Sequence, residues 1–267
     1  MSTIAASPGP MLAGSSGEEP ARDNSRRIQL AFLIGFLLVW WLVTALALIN
    51  PFFLPSPQAV ARVFFRLVTT GEILPDLKIT TGQIAVSFPI ALLSGLAVGY
   101  AVSSSRYSVE VFEPMLAGLF AIPLIIFYPL NVLILGIGPE SKIAHGAIYG
   151  FFPIVLSAIQ GFGSVDRAYL RSAHSLGASR FQVLRRVLLP AALPSIMAGV
   201  RMGFVLTFVA TIGSETIASL GGLGHRIVWY AESLETDKMF AYIVFIIIIA
   251  VVSNAVLSWI ERRSDWR

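Results

Sequence analysis

Charge-free apolar runs dominate the chain. Residues 28–49, 79–105, 114–139, 143–165 and 239–260 hold no Asp, Glu, Lys or Arg, and each is about the 20 residues a helix needs to cross the hydrocarbon core. Backbone groups in lipid must pair within their own segment, so each run predicts a helix. A sixth run, 194–214, is apolar except for Arg201. A helix starting near Pro194 puts that guanidinium about 10 Å from its end, where it snorkels to the interface or turns into the bundle. The pattern predicts an all-α polytopic membrane protein with six transmembrane helices.

Composition supports this reading. Of 267 residues, 56% are hydrophobic and 13% charged, against roughly 25% charged in soluble domains. Arginine and lysine then orient the spans. With the N-terminus inside, Arg22, Arg26, Arg27, Arg106, Arg167, Arg171, Arg180, Arg185, Arg186, Arg262, Arg263 and Arg267 are cytoplasmic. Arg62, Arg66, Lys78, Lys142, Arg226 and Lys238 are outside. This two-to-one excess gives an N-in, C-in topology, and the net charge of +4 needs no nucleic-acid partner.

Between the spans, residues 1–27 read as a disordered cytoplasmic tail rich in Ser, Gly, Pro and Ala. Residues 28–263 form the six-helix transmembrane domain, including the cytoplasmic segment 161–194, and 264–267 a cytoplasmic C-terminal tail. The Ala45-Leu46-Ala47 triplet imitates a signal-peptidase site, but the apolar run is too long for a signal h-region. In the outer loop 50–78, Ala59, Val60, Val63, Phe64, Leu67 and Val68 make an amphipathic stripe opposite Arg62 and Arg66. That helix either lies on the outer interface or packs against the bundle. Pro89, Pro123, Pro129 and Pro153 fall inside predicted spans and bend them.

Few residues offer chemistry. Cysteine is absent, and His145, His174 and His225 form no metal-ligand spacing, so no metal site is expected. No phosphate-binding GxxxxGK[ST] sequence occurs, and so no ATP hydrolysis is expected of this chain. Glu215, a lone carboxylate near the outer end of the fifth span, is the leading pathway candidate; it touches a solute, gates the path, or caps or pairs with Arg226. Asn131, Thr207 and Ser214 add polar groups inside spans, with Ser87 and Ser94 as weaker choices, and Phe127 and Tyr128 form a constriction or simply pack.

The cytoplasmic segment 161–194 differs from the rest. A helix over 165–176 ends at Gly177, where glycine takes the left-handed cap conformation without side-chain cost. Ser179 caps a second helix that runs to 187–189, where Pro190 disturbs it. Arg180, Arg185 and Arg186 line this helix–turn–helix, which protrudes into the cytoplasm as a docking element or stays an ordinary surface loop.

The frame Ala173-x3-Gly177-x9-Val187-x-Leu189-Pro190 resembles the EAA loop of permease subunits in bacterial ATP-binding-cassette (ABC) importers. The wording of 175–194 is similar to the nitrate/sulfonate/taurine-type branch. Further likenesses are 136–144 with Phe151-Phe152-Pro153, and Gly213-Ser214-Glu215 followed by 221–224. The likeness extends from about Leu30 to Arg263. It implies the type I ABC importer permease fold in the inner membrane, a second permease copy, two cytoplasmic ATPase subunits and a periplasmic binding protein. ATP and Mg are then used by the partner ATPases, with no cofactor in this chain. Implied cargo is a small anionic solute such as a sulfonate, taurine or nitrate. The coupling residues carried over are Arg171, Ser172, Ala173, His174, Ser175, Leu176, Gly177, Ala178, Phe181 and Pro190. Arg171 stands where the family has its motif glutamate, and Ser172 where it has its first alanine, so the glutamate's role does not transfer.

A secondary transporter would show inverted repeats and buried ion-binding carboxylates. A membrane-embedded enzyme would show paired carboxylates or histidine clusters in its spans, and a purely structural subunit would not need the EAA-like loop.

Overall fold

The computed structural model describes residues 21–264. The first part of the expected tail (1–20) and residues 265–267 of the C-terminal tail lie outside the described residues. The chain divides into two units, up to Pro57 and from Gln58 onward.

The first unit contains α1 (Ala21–Ala45), which begins inside the expected tail. It is apolar on every face along its second half, as a lipid-facing span requires. Its end is turned by Trp40, whose indole N–H donates to the Pro55 carbonyl at 3.0 Å.

The second unit is a bundle built on α3 (Leu74–Ser103), α6 (Pro139–Gly163) and α9 (Leu189–Ile217), with α6 the most buried span. Lipid removes the usual hydrophobic gain of burying apolar surface, so close packing through small residues holds such helices together. Gly95 and Gly203 both pack on Ile154, Gly99 faces Ala158, Gly150 faces Ala91, and Gly199 faces Ser157. At Gly150 an added Cβ would come within 2.9 Å of the Ala91 Cβ and 3.0 Å of the Gly203 carbonyl. Thr207 ties the same crossing with a hydroxyl bond of 3.1 Å to the Gly146 carbonyl.

Around this core stand α2 (Pro57–Thr70), α4 (Arg106–Phe120), α5 (Tyr128–Leu135), α7 (Arg167–Ser175), α8 (Arg180–Val183), α10 (Leu223–Glu232) and α11 (Thr236–Ser264). The stripe on α2 packs inward: Val60, Val63 and Leu67 are buried, and Phe64 stacks on Phe245 of α11 with centroids 4.2 Å apart. Val68, assigned to the same stripe, is exposed. The choice between interface and bundle is settled for the bundle.

Three boundaries differ from the hydropathy reading. The expected third span, 114–139, with bends at Pro123 and Pro129, is a broken pair: α4 and α5 meet at 77° through a 3-10 turn at Leu124–Phe127. Pro123 opens the break and Pro129 starts α5, each lacking the N–H a continuous helix would use. Pro139 ends no span and instead begins α6. The second span starts at Leu74, five residues early, which brings Asp76 and Lys78 out of the outer loop and onto α3.

The fifth span also differs. The helix after Ser179 does not stop at Pro190. A π turn at Leu184–Leu188 joins α8 to α9, with the Leu189 N–H reaching back to the Leu184 carbonyl. Widening the ladder here absorbs Pro190, which has no N–H to give, and the helix runs unbroken from Arg180 to Ile217.

Candidate functional site

At the arginine-rich end, the turn between α6 and α9 is fixed by local hydrogen bonds. The Asp166 carboxylate accepts from the Ala168 N–H at 2.8 Å and starts α7. Gly177 ends it at φ +77°, a left-handed conformation that costs any other L-residue about 1–2 kcal/mol. Ser179 and Gln182 then form a reciprocal capping box, with bonds of 3.3 and 2.8 Å.

The two faces of this element serve different ends. Leu170 on α7, with Leu184 and Leu188 of the π turn, packs on a buried cluster of Ala158, Phe162, Ala192 and Ile196. Tyr169, Leu176 and Phe181 are exposed, Leu176 at 87%. Arg171, Ser172, His174 and Ser175 are also on the surface, and Ala173 and Ala178 are half-buried. His174 Nδ1 lies 2.7 Å from the Leu170 carbonyl. Pro190, in the first turn of α9, is exposed.

At the opposite end, Glu215 is 1% exposed and does not pair with Arg226. Its carboxylate accepts from Thr80 Oγ1 at 2.8 and 3.0 Å and from the Gly224 N–H at 2.8 Å. Thr80 Oγ1 in turn accepts from the Leu223 N–H at 2.9 Å. Arg226 lies further along α10 and reaches Asp76, with Nε 2.9 Å from Oδ2. Asp76 also takes the Gly222 N–H and the Tyr242 hydroxyl, both at 3.2 Å. Burial alone would lower the Arg226 pKa; the Asp76 bond and charge outweigh it and hold the group above its ordinary value. Together these groups clasp the loop between α9 and α10 to α3 and α11. Tyr128 adds a bond of 2.9 Å from its hydroxyl to the Ala218 carbonyl, so it packs, whereas Phe127 is exposed.

The five pathway candidates do not meet in one place. Asn131 Nδ2 donates to His145 Nδ1 at 3.2 Å, and the His145 ring meets Tyr128 and Tyr149 in tilted and edge-on contacts. Thr207 is in the α6–α9 crossing, and Ser214 donates to the Thr211 carbonyl at 2.7 Å. Glu215 and Phe127 are placed as described. A cavity of about 400 Å3 does open at the outer end, between α3, the start of α6 and the clasped loop, where it is lined by Gln83, Ile79, Ile143 and Leu220. Gln83 is buried, and its Oε1 has no hydrogen-bond partner among the described residues. Glu215 thus holds one wall of this cavity in place without standing on it.

The comparisons with known proteins agree with this architecture. Residues 87–266 match the family described as binding-protein-dependent transport system inner membrane component. The chain belongs to that family. The permease is 35% identical to the taurine transport system permease protein TauC of Escherichia coli (strain K12), over 90% of each chain. It is 30% identical to the putative aliphatic sulfonates transport permease protein SsuC of the same organism, over 91% of this chain and 93% of the relative. Its fold matches a chain of the inward-facing MetNI methionine ABC transporter with a TM-score of 0.59 at 19% identity, covering 72% of this chain and 95% of that one. The type I importer permease fold expected from the resemblance is therefore present. The permease is a multi-pass inner-membrane subunit of an ATP-driven transport complex, non-catalytic by itself, and works with an ATPase and a substrate-binding protein.

Sequence reasoning missed Asp76, Thr80, Tyr242 and Gln83. The first three act only across long sequence separations. Gln83, an amide inside a charge-free span, was open to the same argument that selected Asn131.

Proposed function

We propose that this permease imports a small sulfonate or a related anion as a pair of identical copies, mounted on two ATPase subunits and fed by a periplasmic binding protein. The observation that carries the coupling half of the reading is the double attachment of α7. Its inner side chain Leu170 and the π-turn leucines pack on α6 and α9, while Tyr169, Leu176 and Phe181 face outward. A partner that grips the outward face moves a lever tied to two spans, and differential contacts in two states are what drive such a shift. Arg171, Ser172, Ala173, His174, Ser175, Gly177, Ala178 and Pro190 belong to this lever. The solute class is supported by the taurine and sulfonate relatives. The outer cavity suits a compact solute, since it offers the polar Gln83 among apolar walls.

The test is purification through a tag on this chain after coexpression with neighbouring genes, followed by ATPase assays with loaded binding protein and uptake of taurine, alkanesulfonates and nitrate. Two permeases with two ATPases, stimulated by a loaded binding protein, are expected. Gly177→Val is expected to abolish assembly or stimulation, and Gln83→Leu to raise the KM for uptake. A chain that purifies alone and ignores every ATPase supplied would sink the reading.

A further inference from the structure

Beneath α7, at the arginine-rich end of the bundle, two adjoining cavities of about 640 and 340 Å3 open between the ends of α3 and α6. Both are lined by Ser103, Ser104, Phe162, Leu170 and His174. Arg106 and Arg171 stand on the larger, and Arg180 on the smaller. The walls therefore come from α3, α4, α6, α7 and α8, and they combine three guanidiniums and an imidazole with an apolar floor.

These cations are poorly matched by protein acids. Arg106 pairs with Glu110 at 2.8 Å on the surface, while among the described residues Arg171 and Arg180 have no ion-pair partner. On the same elements, Glu113 accepts from Gln160 at 3.2 Å and Asp166 caps α7, and among the described residues neither forms an ion pair with these arginines. Guanidiniums held around one cleft repel each other unless an anion neutralises them. Their fork geometry fits phosphate oxygens in pairs; the Ser103 and Ser104 hydroxyls at the same wall donate to the Tyr100 and Ala101 carbonyls at 2.9 and 2.7 Å, so the guanidiniums are the donors this cleft offers. The apolar side of the cleft, with Tyr100, Phe162, Leu184 and Leu188, lies at the C-terminal ends of the apolar helices α3 and α6. Basic pockets of this kind between spans on the cytoplasmic side receive phosphate headgroups.

We infer that this cleft binds a phosphate-bearing anion, supplied as an anionic lipid headgroup or as a soluble phosphate compound, that bridges α7 to the ends of α3 and α4. Arg171 then has a ligand in the place where the family's motif carries a glutamate. Occupancy would set how firmly α7 is held against the spans. The inference concerns binding alone and does not depend on which solute is carried.

The test uses the assembled complex, or the permease itself if it purifies alone. One arm reconstitutes it in nanodiscs of phosphatidylcholine with or without cardiolipin and phosphatidylglycerol, and counts retained lipid by native mass spectrometry. The other titrates inorganic phosphate and pyrophosphate, without ATP, and follows thermal unfolding in neutral detergent. Arg106→Gln and Arg171→Gln are compared with Arg62→Gln on the outer helix α2. Arg106 lies on α4, so its effect cannot come from a damaged α7. Selective retention of anionic lipid, weakened about tenfold by either cleft variant and unchanged by the Arg62 control, supports the site with lipid as its source. A phosphate-dependent rise in unfolding temperature, lost in the same variants, supports it with a soluble source. Equal retention in all variants together with no phosphate effect overturns it. So does rescue of Arg171→Glu by charge reversal of an acidic residue on the ATPase, because the occupant is then a protein carboxylate.

Discussion

Thr80 and Glu215 lie 135 residues apart and meet at 2.8 Å, both buried at the outer end of the bundle. The bond belongs to a relay in which the Leu223 N–H gives to the Thr80 hydroxyl and the hydroxyl gives to the carboxylate. The carboxylate also holds the Gly224 N–H. A carboxyl group placed there orders the loop that follows the fifth span.

Removing either partner should loosen that loop. Glu215→Ala leaves the Thr80 hydroxyl and the Gly224 N–H without their acceptor, at a cost of about 1–3 kcal/mol for each buried orphan. Thr80→Val removes both the donor to Glu215 and the acceptor for Leu223. The two changes share one network, so the double variant should destabilise less than the sum, by about 0.5–3 kcal/mol. Thermal unfolding of the four proteins in one detergent measures this. Strict additivity would show that the relay is not a unit.

The neighbouring Asp76–Arg226 pair should be asymmetric. Arg226 is 40% exposed and Asp76 only 4%. Arg226→Ala leaves Asp76 with the Tyr242 hydroxyl and the Gly222 N–H, whereas Asp76→Ala strands all three donors. Limited proteolysis across 218–224 should therefore show faster cutting for Asp76→Ala than for Arg226→Ala. The reverse order would mean that a buried Asp76 carboxylate left without its cation costs more than the three stranded donors.

How much of this was readable in the chain depends on the range of the contact. Gly177, Ser179 and the short helix over 165–176 depend on contacts within a few residues, and local chemistry identified them, though not the Asp166 cap that starts α7. The spans were readable because lipid demands long apolar runs. The relay and the neighbouring Asp76 contacts were not, since Asp76, Thr80 and Tyr242 mean nothing until α3, α9 and α11 are packed, and hydropathy placed Asp76 in a loop. The 77° break between α4 and α5 was marked by Pro123 and Pro129, but a hydropathy run is blind to direction. Pro190 was noticed as a disturbance, yet a sequence does not reveal that a π turn absorbs it.

Glycine substitutions should separate packing from mere helix propensity. Gly150→Val drives a side chain into Ala91 and the Gly203 backbone, so loss of folded permease is expected. Gly118 has nothing within 4 Å of an added Cβ, and Gly118→Ala should stabilise α4 by about 0.5–1 kcal/mol. Fluorescence size-exclusion profiles and unfolding temperatures check both. Equal tolerance at the two sites would contradict the α3–α6–α9 packing.

Pro190→Ala tests whether the π turn is a working part of the lever. Proline lacks the N–H that would bond the Arg186 carbonyl in an α-helix, and the wider turn at Leu184–Leu188 accommodates that loss. Restoring the amide lets the chain close into α-helical register, which removes one residue from the turn and rotates α8 by about 100° relative to α9. Leu184 and Leu188 would then leave the cluster around Phe162 and Ile196, while the capping box at Ser179 and Gln182 would persist. The expected result is a complex that still assembles but responds less to the loaded binding protein, read as a reduced ratio of stimulated to basal ATPase. A ratio equal to that of the unmodified complex would mean that the widened turn is set by the surrounding spans and not by Pro190.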